Sequence, residues 1–272
     1  MKQQNANRII SISVVAGLLL LAALIWSRIA PGAVRTDPTA AWGLVIAVFL
    51  ARPGGVRERL VSPAALPSVA ATVLLAAGCL TELIFLQGLG WSVLGLVLCR
   101  SCFELRTTGR LSRLIPVMLF AFPWIASDLP GLSWIFRVSA AAFAANVFSV
   151  GGFEVTRSEL GFCVEGMMVR VTPDCSGMIA LQSMMMLGAA ATYRFFPRSD
   201  CYWLVMAFLP AVAWLANALR VVALTALALV TNIEFVSRSA HTIVGIIVIL
   251  GSFVAFLVAV SRFARVENLG RS

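Results

Sequence analysis

The sequence predicts an all-α, polytopic membrane protein of about eight transmembrane helices, with a short extracytoplasmic β-hairpin-like segment before the sixth helix. The chain of 272 residues is 60% hydrophobic and only 12% charged. Its mean hydropathy is +0.95, and apolar stretches long enough to cross a bilayer recur from one end to the other. Arginines gather in the short loops between these stretches, which is typical of the cytoplasmic loops of multi-pass proteins.

The composition also excludes several classes of function. The net charge of +9 comes from 21 Lys and Arg against 12 Asp and Glu, but its concentration in loops indicates membrane topology, not a nucleic-acid partner. The sequence contains no glycine-rich phosphate loop, zinc-ligand cluster or RNA-binding signature. His241 is the single histidine, so a multi-histidine metal site cannot form within one chain. We therefore expect no metal and no cofactor.

The first half of the chain contains five predicted spans, each bounded by polar segments or by proline and glycine. The N-terminus resembles a signal peptide but lacks a small-residue cleavage site, so we predict a retained first span. The loop 52–59 carries three arginines, a Gln87–Gly90 turn separates the third and fourth spans, and a second arginine-rich loop covers 100–113. Two prolines in the fifth span are tolerable where neighbouring helices satisfy the freed carbonyl groups. These spans are 9–26, 40–51, 66–86, 91–103 and 114–126.

The second half begins with an ambiguous segment and ends with three spans. Residues 132–148 are apolar but contain Arg137 and Asn146, so a full span, a re-entrant piece and an interfacial helix all fit. Residues 151–171 are glycine-rich, and alternating pieces at 153–157 and 167–171 predict a β-hairpin outside the bilayer. The last three spans are 176–196, 202–230 and 242–262. We divide the chain into 1–127, 128–174 and 175–272, which together form one integral membrane domain.

The distribution of basic residues predicts the topology. With the N-terminus inside and 132–148 not crossing, fourteen of the 21 Lys and Arg lie inside and six outside, and Arg220 lies within a span. Cytoplasmic loops carry the excess of basic residues, so both ends should be cytoplasmic and the protein should lie in the cytoplasmic (inner) membrane. If 132–148 crosses, every later loop inverts and the bias weakens.

The stretch Asp174-Cys175-Ser176-Gly177 is the strongest candidate for chemistry. Asp174 or Ser176 can cap a helix start, because short polar side chains accept hydrogen bonds from the free N–H groups of the first turn. Cys175 would then lie at a helix N-terminus, which favours the nucleophilic thiolate. Asp174 as an anion would oppose that ionisation. The alternative is a small residue at a membrane boundary.

Two later residues reach the same membrane level as Cys175 in the favoured topology. Arg220 lies eighteen residues after Tyr202, about 27 Å along a helix that enters from inside, and His241 lies at the outer mouth of the last span. Arginine within a span is costly and usually functional, although it can also snorkel to the interface, and His241 could simply end a loop. Asn217, one turn before Arg220, could orient the guanidinium or pack as an amide.

The ordered set of motifs resembles the exosortase/archaeosortase family of integral membrane cysteine transpeptidases. The resemblance rests on D-C-S-G at 174–177, N-x-x-R at Asn217 and Arg220, and H-x-x-x-G at His241 and Gly245. It covers about residues 150–263. Many relatives carry an arginine shortly after C-S-G, where this chain has Met178-Ile179-Ala180-Leu181, so the subgroup and its sorting signal stay open.

The resemblance implies a protein-sorting protease/transpeptidase with its active site at the extracytoplasmic face. Its partners would be exported proteins that carry a C-terminal sorting signal of the PEP-CTERM type, made of a short motif, a transmembrane helix and a basic tail. The cleaved protein would pass to an acceptor that the sequence does not identify. By this resemblance Cys175 is the nucleophile, Arg220 the electrostatic stabiliser and His241 the acid/base.

Two other classes of function remain open at this stage. A small polytopic transporter or channel could use Arg220 to bind an anion, and a structural assembly subunit would need none of the three residues. The pair Cys99 and Cys102 forms C-x-x-C without a second pair, which favours apolar filling over zinc or redox chemistry. Glu82, within the third predicted span, is expected to make a polar contact inside the bundle.

Overall fold

The computed structural model describes residues 2–27, 39–51, 53–57, 61–105, 110–173, 176–231 and 238–269. Within these ranges the chain is mainly helical, and its strands form two small antiparallel sheets. The helices are α1 Lys2–Ser27, α2 Thr39–Ala51, α3 Ala65–Thr81, α4 Ile84–Cys102, α5 Ile115–Leu119, α6 Trp124–Asp128, α7 Pro130–Val150, α8 Met178–Phe195, α9 Cys201–Thr231 and α10 Arg238–Leu269, with a 3₁₀ turn at Leu111–Leu114. The strands are β1 Pro53–Val56, β2 Phe103–Leu105, β3 Val155–Ser158, β4 Gly161–Val164 and β5 Met167–Arg170.

Several helices have the length and composition of membrane spans. In the described ranges, five helices qualify: Ile9–Ser27 within α1, α4, α7, α9, and Ile243–Glu267 within α10. The other predicted spans correspond to α2, α3 and α8, which are shorter or less apolar, and to a broken segment that ends in α6. The protein is therefore a multi-pass helical membrane protein, and the count of eight spans stays a prediction.

The turn between α3 and α4 lies earlier than the sequence predicts. Helix α3 ends at Thr81, and Glu82 forms its C-cap with a left-handed φ of 60°. The predicted turn at 87–90 is wrong, because these residues belong to α4. Their glycines serve close packing instead: a Cβ atom at Gly90 would lie 2.8 Å from the carbonyl oxygen of Ala71. Glu82 is consequently exposed at a helix end, so its expected place inside a span is also wrong.

The predicted fifth span, 114–126, is not one continuous helix. The chain forms the 3₁₀ turn and α5, leaves helical geometry at 120–123, and resumes in α6. Pro116 lies in the first turn of α5, where its missing N–H costs nothing. Pro123 directly precedes α6 and ends the preceding turn, because proline disfavours helical geometry at the residue before it.

This broken segment packs antiparallel along α4. The rings of Trp91 and Phe122 lie 5.3 Å apart, and those of Phe85 and Trp124 lie 4.9 Å apart. At the end of the segment, Asp128 accepts hydrogen bonds from the backbone N–H groups at the start of α4, at 3.1 and 2.7 Å. A carboxylate at a helix N-terminus satisfies free donors and is favoured by the helix dipole.

The chain divides into two compact units. The first contains Met1–Asp128 and Met186–Trp203, and the second contains Leu129–Met185 and Leu204–Ser272. Every motif of the candidate site lies in the second unit. The division into 1–127, 128–174 and 175–272 stays a prediction.

In the first unit, Arg113 holds the turn between α8 and α9. Its side chain is 1% exposed and donates to the carbonyl oxygens of Phe196 and Ser199 at 2.8 and 2.7 Å, and to the Asp200 carboxylate at 3.1 Å. The hydroxyl of Tyr202 donates back to the Arg113 carbonyl at 2.9 Å. A buried guanidinium with several acceptors is well satisfied, so this cluster fixes where α9 begins.

In the second unit, α7 is a single 21-residue helix that meets the length and composition of a span. This finding bears on the predicted topology, in which 132–148 does not cross. The small residues Ala140, Ala141, Ala144 and Ala145 are buried, and they share one apolar core with Ala218 and Val221 of α9. The favoured topology, in which 132–148 does not cross, stays a prediction.

The segment after α7 forms a three-stranded sheet in the order β3-β4-β5. The two predicted strand pieces correspond to β3 and β5, but they do not pair with each other, because β4 lies between them. The turn from β4 to β5 is Glu165-Gly166, with φ of 49° and 77°, which matches the two-residue hairpin turns that need positive φ at both positions. The sheet packs its Phe162 ring on Phe148 of α7.

Candidate active site

The loop that enters α8 carries the first motif. Asp174 and Cys175 lie outside the described residues, and Ser176 and Gly177 follow them directly. Ser176 is 4% exposed, and its N–H donates to the Pro173 carbonyl at 3.0 Å. Gly177 has a φ of +79°, a left-handed conformation that side chains disfavour. The chain therefore bends sharply, two residues after Cys175, to enter α8.

Asn217 of α9 holds this bend in place. Its side chain is fully buried, and its Nδ2 atom donates to the Ser176 carbonyl at 3.2 Å. A Cβ atom at Gly177 would lie only 2.4 Å from Cγ of Asn217, closer than any real contact, so only glycine fits there. From sequence alone, Asn217 could either orient the guanidinium or pack as an amide. In the structure its amide contacts the D-C-S-G loop directly.

Arg220 lies one turn further along the same face of α9. Its side chain is half-buried and lies against α10. A Cβ atom at Gly245 would be 2.8 Å from Nε of Arg220, 3.2 Å from Cζ and 3.4 Å from Nη2. The missing side chain of Gly245 thus leaves the space that the guanidinium occupies. The group that approaches α10 at Gly245 is therefore the Arg220 side chain.

His241 lies in α10 through its backbone, one turn before Gly245, and its side chain lies outside what the structure describes. The three motifs are nevertheless joined by contacts of their neighbours. The entry to α8 contacts Asn217, and Arg220 contacts Gly245. These contacts begin at Ser176, the residue after Cys175, and end at Gly245, four residues after His241.

The described residues hold no grouping of three or more His, Cys, Asp or Glu side chains that could bind a metal ion. Cys99 and Cys102 both lie on α4, in the first unit. They therefore lie outside the unit that holds the motifs.

The fold is that of a multi-pass helical membrane protein, and its second unit brings together residues of three ordered motifs. A family model described as transmembrane exosortase matches residues 10–258. The chain therefore belongs to the transmembrane exosortase family. No curated protein and no solved structure matches it.

Proposed function

We propose that this protein is a membrane-embedded cysteine protease/transpeptidase that cleaves the C-terminal sorting signal of exported proteins. The signal would consist of a short motif, a transmembrane helix and a basic tail, presented from within the bilayer. The cleaved protein would be transferred through a Cys175 acyl-enzyme to an acceptor. Cys175 is the nucleophile, Arg220 the electrostatic stabiliser and His241 the acid/base.

The observation that carries the proposal is the pair of contacts around α9. Asn217 fixes the backbone next to Cys175, and Arg220 lies against the backbone one turn from His241. A catalytic site needs its groups held to a fraction of an ångström by supporting contacts. The two contacts supply such support, since both start from one face of one helix.

The chemistry balances with these three groups. The Cys175 thiolate attacks the carbonyl carbon of the scissile peptide bond, and the negative charge moves onto the carbonyl oxygen, where a guanidinium would stabilise it. The C–N bond then breaks as protonated His241 delivers its proton to the leaving amine nitrogen. A nucleophile on the acceptor attacks the thioester, gives its proton to the now neutral His241, and releases the thiolate.

The site would act at the extracytoplasmic face of the cytoplasmic membrane. The excess of arginines in the loops that follow the second, fourth and sixth predicted spans supports this orientation. An exported protein with a transmembrane sorting signal would present its cleavage motif on this side. Residues Ser176, Gly177 and Asn217 would then position the nucleophile, with Asp174 at its flank.

The test is co-expression with a candidate sorting-signal protein, followed by gel analysis of precursor and product. Wild type should process the precursor, Cys175→Ala and His241→Ala should not, and Arg220→Ala should process it about 100- to 1,000-fold more slowly, with each variant present in the membrane at the wild-type level. Cys201→Ala is the matched control, because it removes a cysteine in the other unit. Full processing by Cys175→Ala would eliminate the proposed nucleophile. A transporter would retain its transport after Cys175→Ser, and an assembly subunit would tolerate all three substitutions.

A further inference from the structure

A small β-ribbon brings two arginine-rich loops of the first unit together. Strand β1 pairs antiparallel with β2, so that Val56 faces Phe103. The next residue, Arg57, donates its backbone N–H to the Cys102 carbonyl at 2.9 Å, and its Nε to the carbonyl oxygens of Arg100 and Phe103 at 3.1 and 3.2 Å. Arg57 therefore contacts the backbone of Arg100, which lies 43 residues further along the chain.

An apolar groove of about 520 Å³ begins at this ribbon and follows α1. Its walls contain Val56 and Phe103 of the ribbon, and Ile12, Val15 and Leu19 of α1. A second, smaller cavity of about 130 Å³ shares Val15 and Leu19 as lining residues and reaches towards α2 and α4. Ile12 and Leu19 remain 69% and 54% exposed, so α1 offers an open apolar stripe beside the groove.

Two polar groups lie at this end of the groove: Ser11, which lines it, and Arg57, which directly follows the lining residue Val56. The Ser11 hydroxyl lines the groove on a residue that is 1% exposed, and it makes no hydrogen bond to any residue in the described ranges. A buried hydroxyl without a partner is costly. The Arg57 side chain is anchored through its Nε, which donates to the carbonyl oxygens of Arg100 and Phe103. Arg100, whose backbone carbonyl accepts one of these bonds, has an exposed side chain.

We propose that this groove binds one anionic phospholipid. The acyl chains would lie along the α1 stripe, and the headgroup phosphate would contact the Arg57 guanidinium, with Arg100 nearby and the Ser11 hydroxyl donating to a phosphate or ester oxygen. Basic pockets between transmembrane helices are typical sites for anionic headgroups. The positive charge of the two arginines favours an anionic lipid, because a zwitterionic lipid or a second copy of this basic chain would gain less electrostatic attraction there. The proposal does not depend on the proposed function.

The test measures lipid retention by the purified full-length protein in detergent, using native mass spectrometry. Phosphatidylglycerol and phosphatidylcholine with identical acyl chains are compared. Wild type should retain one phosphatidylglycerol and favour it about tenfold over phosphatidylcholine. Arg57→Gln should reduce that preference about fivefold, since each arginine near an anionic headgroup contributes on this scale. Arg170→Gln, on an exposed strand position of the other unit, should leave it unchanged.

A second pair of variants tests the groove itself, independently of the Arg57 contacts with backbone. Ala16 lines the groove, so Ala16→Phe should fill it and abolish retention of the lipid. Gly17→Phe, one residue along the same helix in open space, should retain the lipid as wild type does. Equal retention of both lipids, or unchanged retention by Ala16→Phe, would overturn the proposal. A dimer that dissociates in Ala16→Phe would instead assign the groove to a second copy and also overturn it.

Discussion

Gly245→Ala tests whether the contact between α9 and α10 positions Arg220. The added Cβ atom would lie 2.8 Å from Nε of Arg220, whereas ordinary contacts begin at 3.4 Å, so Nε must retreat by about 0.6 Å. The atoms in the way belong to the end of a flexible side chain. The guanidinium should therefore move and the helices should stay in place.

The size of the Arg220 displacement predicts how much processing slows. A shift of about 1 Å in a positioned group can cost roughly 100-fold in rate, so a shift of about 0.6 Å should slow processing about tenfold. Complete removal of the stabilising group, in Arg220→Ala, should cost about 100- to 1,000-fold. The assay is pulse–chase conversion of a co-expressed sorting-signal protein from precursor to product.

Two comparisons separate positioning from general damage. Gly251→Ala lies on the same helix with nothing near its added Cβ atom, and it should process at the wild-type rate. In an Arg220→Ala background, Gly245→Ala should cause little further loss, because the group that it displaces is absent. The reasoning would be refuted if Gly245→Ala were as active as wild type. The same reasoning would also be refuted if the effect of Gly245→Ala added fully to that of Arg220→Ala.

Three further substitutions test the loop before α8, the turn between α8 and α9, and the membrane topology. Gly177→Ala should abolish processing on the same gel, since the φ of Gly177 is +79° and the added Cβ atom would collide with Asn217; normal processing would contradict this geometry. Arg113→Ala should lower the free energy of unfolding in detergent by about 3–5 kcal/mol, because it strands buried carbonyl groups. The Arg110 side chain is 63% exposed, so Arg110→Ala should lower the same free energy of unfolding by less than about 1 kcal/mol. Glu159→Cys, at an exposed turn, should react with a membrane-impermeant maleimide in intact cells; labelling only after lysis would show that 132–148 crosses the membrane.

Composition and short motifs were sufficient to predict the class of this protein. A chain that is 60% hydrophobic with arginines in its loops can only satisfy its backbone in a bilayer as helices or closed barrels. The ordered motifs at 174–177, 217–220 and 241–245 indicated the family that the chain belongs to. These signals are readable because they depend on residue identity and local spacing alone.

Breaks in the helices were harder to predict. The glycines at 88 and 90 suggested a turn, but Gly90 permits α4 to pack closely on α3, and Gly88 lies against Phe122. From sequence alone, a glycine in a turn cannot be distinguished from one at a packing contact. The prolines of the fifth predicted span fitted a kinked helix and a broken one equally well. Strand β4 was missed because its residues, mostly buried on both faces, do not alternate.

The site itself shows where prediction from sequence ended. Residue types and spacing selected Cys175, Arg220 and His241, and helix periodicity placed Asn217 on the face of Arg220. Only the tertiary structure decided that Asn217 contacts the loop after Cys175 and that the Arg220 guanidinium lies in the space left by Gly245. The pairing of β1 with β2, which joins two arginine-rich loops, was likewise invisible. Apolarity and helix periodicity are properties of a few neighbouring residues. A close approach between helices instead involves side chains that lie tens of residues apart in the sequence, and only packing brings them together.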